Sequence, residues 1–281
     1  MKTIITDTKR GNHHKIDYYE STTELVEAVN DESKKNPWRD RYAADRDSDW
    51  CGGVNLKQAS ELATHGWKDA PKLSGTDMSH ALADYSVGQR QGTVASVSGA
   101  FLDVGAFCSG GPECFQEFTE VESPKGIVLG VNFGALCDVS PESMINQGLV
   151  MLAIADELQR LGFTVTLQAF WYSQGDDGCE FTLQVPVKRP GERVDENLLA
   201  YWACHPSALR QIGFAWQDIQ DDTWHRKMDA TSGRGRSLTP DSLEGIDYVF
   251  NNGERLNSKK TTFAYYDKHM AAIKKLLTKI T

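Results

Sequence analysis

Between Lys125 and Lys188 the chain alternates unbroken apolar runs with one helical stripe. Ile127 to Phe133 (IVLGVNF) is an apolar run of strand length, of the kind buried on both faces in a parallel sheet. Ser140-Pro141-Glu142 then supplies an N-cap, a proline at the first helical position and an early acid. Met144, Gly148, Met151, Leu152, Ala155, Leu158 and Leu161 recur at helical spacing, and Gly162 is placed to end that helix. Phe163 to Tyr172 reads as a second strand, Ser173 to Gly178 as a polar turn and Cys179 to Lys188 as a third strand. In the third, Cys179, Phe181, Leu183, Val185 and Val187 share one face, and Glu180, Thr182, Gln184 and Lys188 the other. The unit predicts an α/β fold with a mostly parallel sheet flanked by helices. The third strand should run antiparallel to the second and lie near an edge.

The flanks carry weaker patterns. Ile16 to Tyr19 reads as a short strand, and Ser21 with Glu24 forms a capping box opening a helix through about Val29. Asp31 to Asp49 is too charged for a core and is expected to be a surface excursion. Asn55 caps a helix with Leu56, Ala59, Leu62 and Ala63 inward, ended by Gly66 and flanked by Trp50 and Trp67. Ser79 to Gln89 reads as a weak helix, Thr93 to Val97 and Phe101 to Val104 as strands, and Pro112-Glu113 as the start of a short helix. A boundary at Ser123-Pro124 would divide an N-terminal α+β region (1–123) from an α/β domain (124–281).

Beyond the central unit, Asp195 to Trp202 is expected to be helical and Pro206 to interrupt it. Gln217 to Asp222 reads as acidic and exposed, Ala230 to Pro240 as a mobile loop, and Ile246 to Phe250 as a last strand. Thr261 or Thr262 should cap a terminal helix whose stripe runs Phe263, Tyr266, Met270, Ile273, Leu277 and Ile280. Such a stripe packs on its own sheet or, alternatively, seats a second copy of the chain as a homo-oligomer seam.

Composition narrows the class. With 281 residues, 40% apolar and 25% charged, the chain reads as an ordinary globular protein. No apolar run approaches the roughly 18 residues of a membrane span, and the first residues lack a signal-peptide core, so the expected location is cytoplasmic. A net charge of −9 argues against coating nucleic acid by bulk electrostatics, leaving only a local patch for that role. Six cysteines are too sparse for a disulfide scaffold, and the Cys108 to Cys114 spacing matches no common zinc knuckle.

Three segments carry a resemblance: FLDVGAFCSGGPECFQEF (Phe101 to Phe118), SMINQGLVMLAIADELQRLGFTVTL (Ser143 to Leu167) and HPSALRQIGF (His205 to Phe214). They resemble an uncharacterised family of tailed-phage proteins. The element order of the central unit also resembles a von Willebrand factor A-like, Rossmann-type domain. The resemblance implies a phage source and, for that domain type, a strand-end magnesium site spaced D-x-S-x-S. The matching positions here are Asn132, Gly134 and Leu136, of which two cannot ligate through a side chain. The expectation is therefore a degenerate site with no metal and no cofactor.

No HExxH, GxSxG, phosphate-loop or dinucleotide motif is present. His205, before Pro206 in an apolar stretch, reads as a core or capping histidine. The expected function is a phage-encoded, non-catalytic interaction protein acting on a host or phage macromolecule, in the host cytoplasm and without membrane contact. The alternatives are a cryptic metal-dependent hydrolase or nucleotide-binding enzyme, or a structural virion component. Asp138, Glu142 and Asp247, expected near strand ends or the helix start, are the candidate binding carboxylates, with Arg234 and Arg236 as a phosphate clamp.

Overall fold

The computed structural model describes residues 1–8, 12–31, 33, 49–71, 93–99, 101–118, 126–190, 192, 195–228, 236–237, 240, 243–250 and 254–280. In chain order it begins with β1 (Lys2–Asp7), β2 (His13–Tyr18), α1 (Thr22–Asn30) and α2 (Leu56–His65). Then come β3 (Thr93–Ser96), β4 (Phe101–Leu102), α3 (Val104–Cys108), β5 (Phe115–Phe118), β6 (Gly126–Asn132), α4 (Pro141–Arg160), β7 (Thr164–Gln174) and β8 (Glu180–Lys188). α5 (Glu196–Cys204) is followed by a π-helical stretch (Ala208–Gly213) that runs into α6 (Phe214–Asp218) and α7 (Asp222–Met228). β9 (Arg236–Ser237), β10 (Tyr248–Val249) and α8 (Lys259–Ile280) complete the fold.

Local chemistry explains the central elements. Ser140 Oγ accepts the Ser143 N–H at 3.2 Å, Pro141 opens α4, and Gly162 closes it with a φ of +94°. Asn55 and Gln58 form a reciprocal capping box on α2. α8 begins a turn earlier than its threonines suggest, because Ser258 and Thr261 bond each other's backbone N–H.

Among the described residues the main sheet has seven strands in the order β1-β2-β8-β7-β6-β10, with β9 pairing against the end of β7. β6 is parallel to β7, with Ile127 opposite Val165, and parallel to β10 on its other side. β7 and β8 form the expected antiparallel hairpin, Phe170 opposite Gln184. The sheet as a whole is mixed. β8 is not near an edge: β2 lies parallel along its outer side, Ile16 opposite Thr182, and β1 lies antiparallel beyond. This is why the polar face of β8 is buried at Thr182, Gln184 and Lys188. The buried polar groups find partners: Thr182 Oγ1 lies 2.7 Å from His14 Nε2, and Lys188 Nζ donates to the Val165 carbonyl at 2.6 Å. The same pairing joins segments from both sides of Ser123-Pro124 in one sheet.

The largest apolar clusters share one face of β7. Ala169 and Trp171 meet α1, α2, α5 and the π-helical stretch through Leu25, Ala59, Tyr201 and Leu209. Val165 and Leu167 meet α4 and α8 through Ile154, Leu158, Met270 and Ile273. The alternate positions Phe170 and Tyr172 belong to a smaller cluster with Leu243. Four residues of the terminal stripe, Tyr266, Met270, Ile273 and Leu277, are buried inside the second cluster. No helix among the described residues is long and apolar enough to cross a membrane.

Other expectations are corrected. Val104–Cys108 is a short helix capped by Asp103, and the segment after Pro112-Glu113 is strand β5. Within Gln217 to Asp222, Gln217, Asp218 and Gln220 are buried rather than exposed, since Gln217 and Asp218 close α6 against the core, while Asp221 and Asp222 are exposed as expected. Most of Asp31 to Asp49, all of Ser79 to Gln89, and Ala230 to Pro240 apart from Arg236, Ser237 and Pro240 lie outside the described residues.

Two contacts generate tests. A Cβ on Gly148 would overlap the Ala203 carbonyl where α4 crosses α5. Gly148→Ala should therefore destabilise the protein by about 3 kcal/mol in urea denaturation, and equal stability would show that the helices can part without penalty. His269 is buried, with Tyr248 Oη 2.6 Å from Nδ1 and no partner at Nε2 among the described residues. Burial, helped by Lys268, lowers its pKa from the usual 6.5 to about 4. The native state therefore holds it neutral, and the associated stability, complete above pH 6.5, is lost as pH falls toward 4. The loss is on the order of 3 kcal/mol. His269→Phe should gain on the wild type in urea denaturation as pH drops across that window, and a constant gap would acquit His269.

Candidate functional site at the end of the central strand

In open α/β sheets ligands collect beyond the carboxyl ends of the strands. Here that region is the loop from Phe133 to Ser140 between β6 and α4. Asn132 is 3% exposed, and its Oδ1 accepts the Gly134 N–H at 2.9 Å, so the side chain is used to turn the chain. Gly134 is buried, and Leu136 points to solvent at 44% exposure. Among the described residues no group of three or more His, Cys, Asp or Glu is placed to hold a metal ion.

The expected carboxylates do not converge. Asp138 is exposed and ion-pairs with Arg255, whose hydrogen bond holds its carboxyl below the usual range. Glu142 is exposed in the first turn of α4, where an acid complements the helix dipole. Asp247 lies elsewhere: its Oδ2 accepts the Val128 N–H at 2.7 Å, and its own N–H donates to the Val128 carbonyl at 2.9 Å. It extends the β6–β10 ladder about 13 Å upstream of Asn132, because β10 pairs with the middle of β6. Arg236 pairs through its backbone with Gln174, beyond the end of β6. Arg234 lies outside the described residues.

The residue that organises this region is Arg210, which the sequence reading passed over. It is fully buried in the π-helical stretch. Nη1 donates to the Trp50 carbonyl and Nη2 to the Val139 carbonyl, each at 2.6 Å, and the guanidinium lies 4.1 Å from the Trp50 ring centroid. Trp50 Nε1 in turn donates to the Cys137 carbonyl at 3.1 Å. Desolvation lowers the guanidinium to about 10, yet it remains charged at neutral pH. One cation thus ties the strand-end loop, the Trp50 segment and the π-helical stretch together through two carbonyls, while its Nε finds no partner among the described residues. The π-helical stretch is the signal that pointed here, since such insertions re-aim side chains, but it is not readable from apolar spacing.

His205 caps α5 as expected. Its Nδ1 accepts the Ser207 N–H at 3.2 Å and sits 2.8 Å from Ser207 Oγ, with Tyr201 stacked on the ring and Trp67 edge-on at 4.7 Å. Burial lowers its pKa to about 4, so it is neutral at physiological pH. The void between it and Asn132 is about 10 Å³, room for at most one water.

Arg210→Lys should cost about 3 kcal/mol in urea denaturation, because a lysine reproduces neither the fork nor the stack. Asp138→Asn, which touches only an exposed pair, should leave the midpoint unchanged. A lysine variant as stable as the wild type would show that the loop holds itself.

No curated protein and no solved structure matches this chain. A family model described as a domain of unknown function, DUF7192, matches residues 5–280. That span runs from β1 into the last turn of α8, and the chain belongs to the DUF7192 family.

Proposed function

We propose that the protein is a non-catalytic interaction protein whose contact surface is the small sheet β3–β5 together with α3. The observation that carries this reading is a concentration of exposed apolar side chains in that unit. β5 pairs antiparallel with both β3 and β4, and Asp103 Oδ1 caps α3 by accepting the Ala106 N–H at 3.0 Å. Around this frame Val97 is 69% exposed, Val104 63%, Phe107 59% and Leu102 44%. Apolar groups gathered this densely favour burial against another surface. The charged residues from Val97 to Phe115 are Asp103 and Glu113, both acidic. The fitting partner is a protein with an apolar centre and a basic rim.

The strand end supports the non-catalytic part, since Asn132, Asp138 and Arg210 are each spent on structure. The order β8-β7-β6-β10, antiparallel at β8 and parallel through β10, supports a von Willebrand factor A-like reading with its metal positions replaced. The contact unit contains the first segment that resembles tailed-phage proteins. That resemblance supports seeking the partner among host or phage proteins of an infected cell.

The test uses the full chain as bait in infected-cell lysate, followed by reconstitution with the purified partner. Replacing Val104 and Phe107 with serine should weaken the reconstituted complex about tenfold or more and leave the melting temperature unchanged. Alanine at Asp138 and Glu142 should leave binding intact. If the alanine pair abolishes biological activity while the serine pair is silent, the interaction reading fails and the metal-dependent enzyme replaces it.

A further inference from the structure

The opposite edge of the main sheet carries a second surface, independent of the apolar unit. β1 ends the sheet among the described residues, and the face that bears Thr3 and Ile5 overlooks a cleft of about 760 Å³. Lys15, Tyr19, Glu27 and Trp224 also line it. A cavity of this size is in the range of small-ligand sites.

Its floor is built from buried polar groups. Lys15 Nζ lies 3.3 Å from Asp17 Oδ2 and donates to Gln220 Oε1. Asp17 also accepts from Thr3 Oγ1 at 2.7 Å and from Trp216 Nε1 at 3.1 Å. The Lys15 charge is therefore offset from within. Tyr19 differs: it is 3% exposed, and its hydroxyl has no hydrogen-bond partner among the described residues. Burial, with Asp17 and Glu24 close by, raises its pKa, so it stays a neutral phenol with its oxygen unspent.

The walls are acidic. Glu24, Glu27, Asp31 and Asp221 line the cleft, and the cations facing them are Lys15 and the Met1 ammonium, which pairs with Glu24. Asp221 is occupied by the N–H groups of Thr223 and Trp224. Glu27 is exposed on α1 and has no partner among the described residues.

We propose that this cleft binds a guanidinium or primary ammonium group carried on a short apolar stem. The N–H donors of such a group satisfy the Glu27 carboxylate and the Tyr19 oxygen together, while Ile5, Ile219 and Trp224 receive the stem. An anion would meet a negative field and a lysine already paired. A free small molecule and an arginine or lysine side chain of a peptide offer the same head group.

Isothermal titration of the full chain with propylguanidinium, its neutral isostere propylurea, and the peptide acetyl-Ala-Arg-Ala-amide tests this. Propylguanidinium should bind and propylurea should not. Glu27→Gln and Tyr19→Phe should each weaken propylguanidinium about fivefold. Thermal denaturation should show Tyr19→Phe at least as stable as the wild type, because it removes an unpartnered buried hydroxyl. A peptide that binds more tightly than propylguanidinium supports a side-chain source, and equal affinity supports a free small molecule. Equal binding of the urea and the guanidinium, absence of binding by all three probes, or full affinity in both variants would overturn the proposal.

Discussion

The parallel pairing of β2 with β8 is the constraint on which the rest of the molecule depends. It closes the second edge of β8, which β7 already covers on the other side. A strand with both edges paired and its polar face covered must find partners for every side chain on that face. Thr182 and Lys188 do so with His14 and the Val165 carbonyl. The pairing also draws Lys15 and Asp17 under the helices, where each needs the other. Losing one member of such a buried pair costs about 3–5 kcal/mol. Because α1 follows β2 directly, it lands over β8 and delivers Leu25 and Val29 to the core shared with α2 and the π-helical stretch.

Arg210 is the second organising contact. A buried guanidinium bonded to two carbonyls and stacked on an indole holds three separate segments in one arrangement. Its bond to the Val139 carbonyl anchors the β6–α4 loop where this type of sheet offers a crevice. The two surfaces proposed for recognition are an exposed apolar unit on the small sheet and an acidic cleft beside β1.

Part of the candidate site was readable from sequence. Asp138 and Glu142 fall at the strand end and helix start because that placement follows from one strand, one loop and one capped helix in succession. Asp247 does not, because its position depends on how far β10 slides along β6, which its own neighbours do not specify. Arg210 was unreadable for a related reason. A lone cation in an apolar stretch reads as solvent-facing until a π-helical stretch and two distant carbonyls turn it inward.

The unit β6–α4–β7–β8 follows from local sequence, including the Ser140 cap, the stop at Gly162 and the antiparallel hairpin. Those depend on apolar periodicity, caps and turns acting within a few residues. Long-range pairing alone made β1 an edge strand, placed β8 in the interior and buried Gln217, Asp218 and Gln220. It also decided that Lys15 meets Gln220 across most of the chain. Periodicity states which side chains share a face. It does not state which distant segment will cover that face, and the burial of a polar group depends on that covering partner.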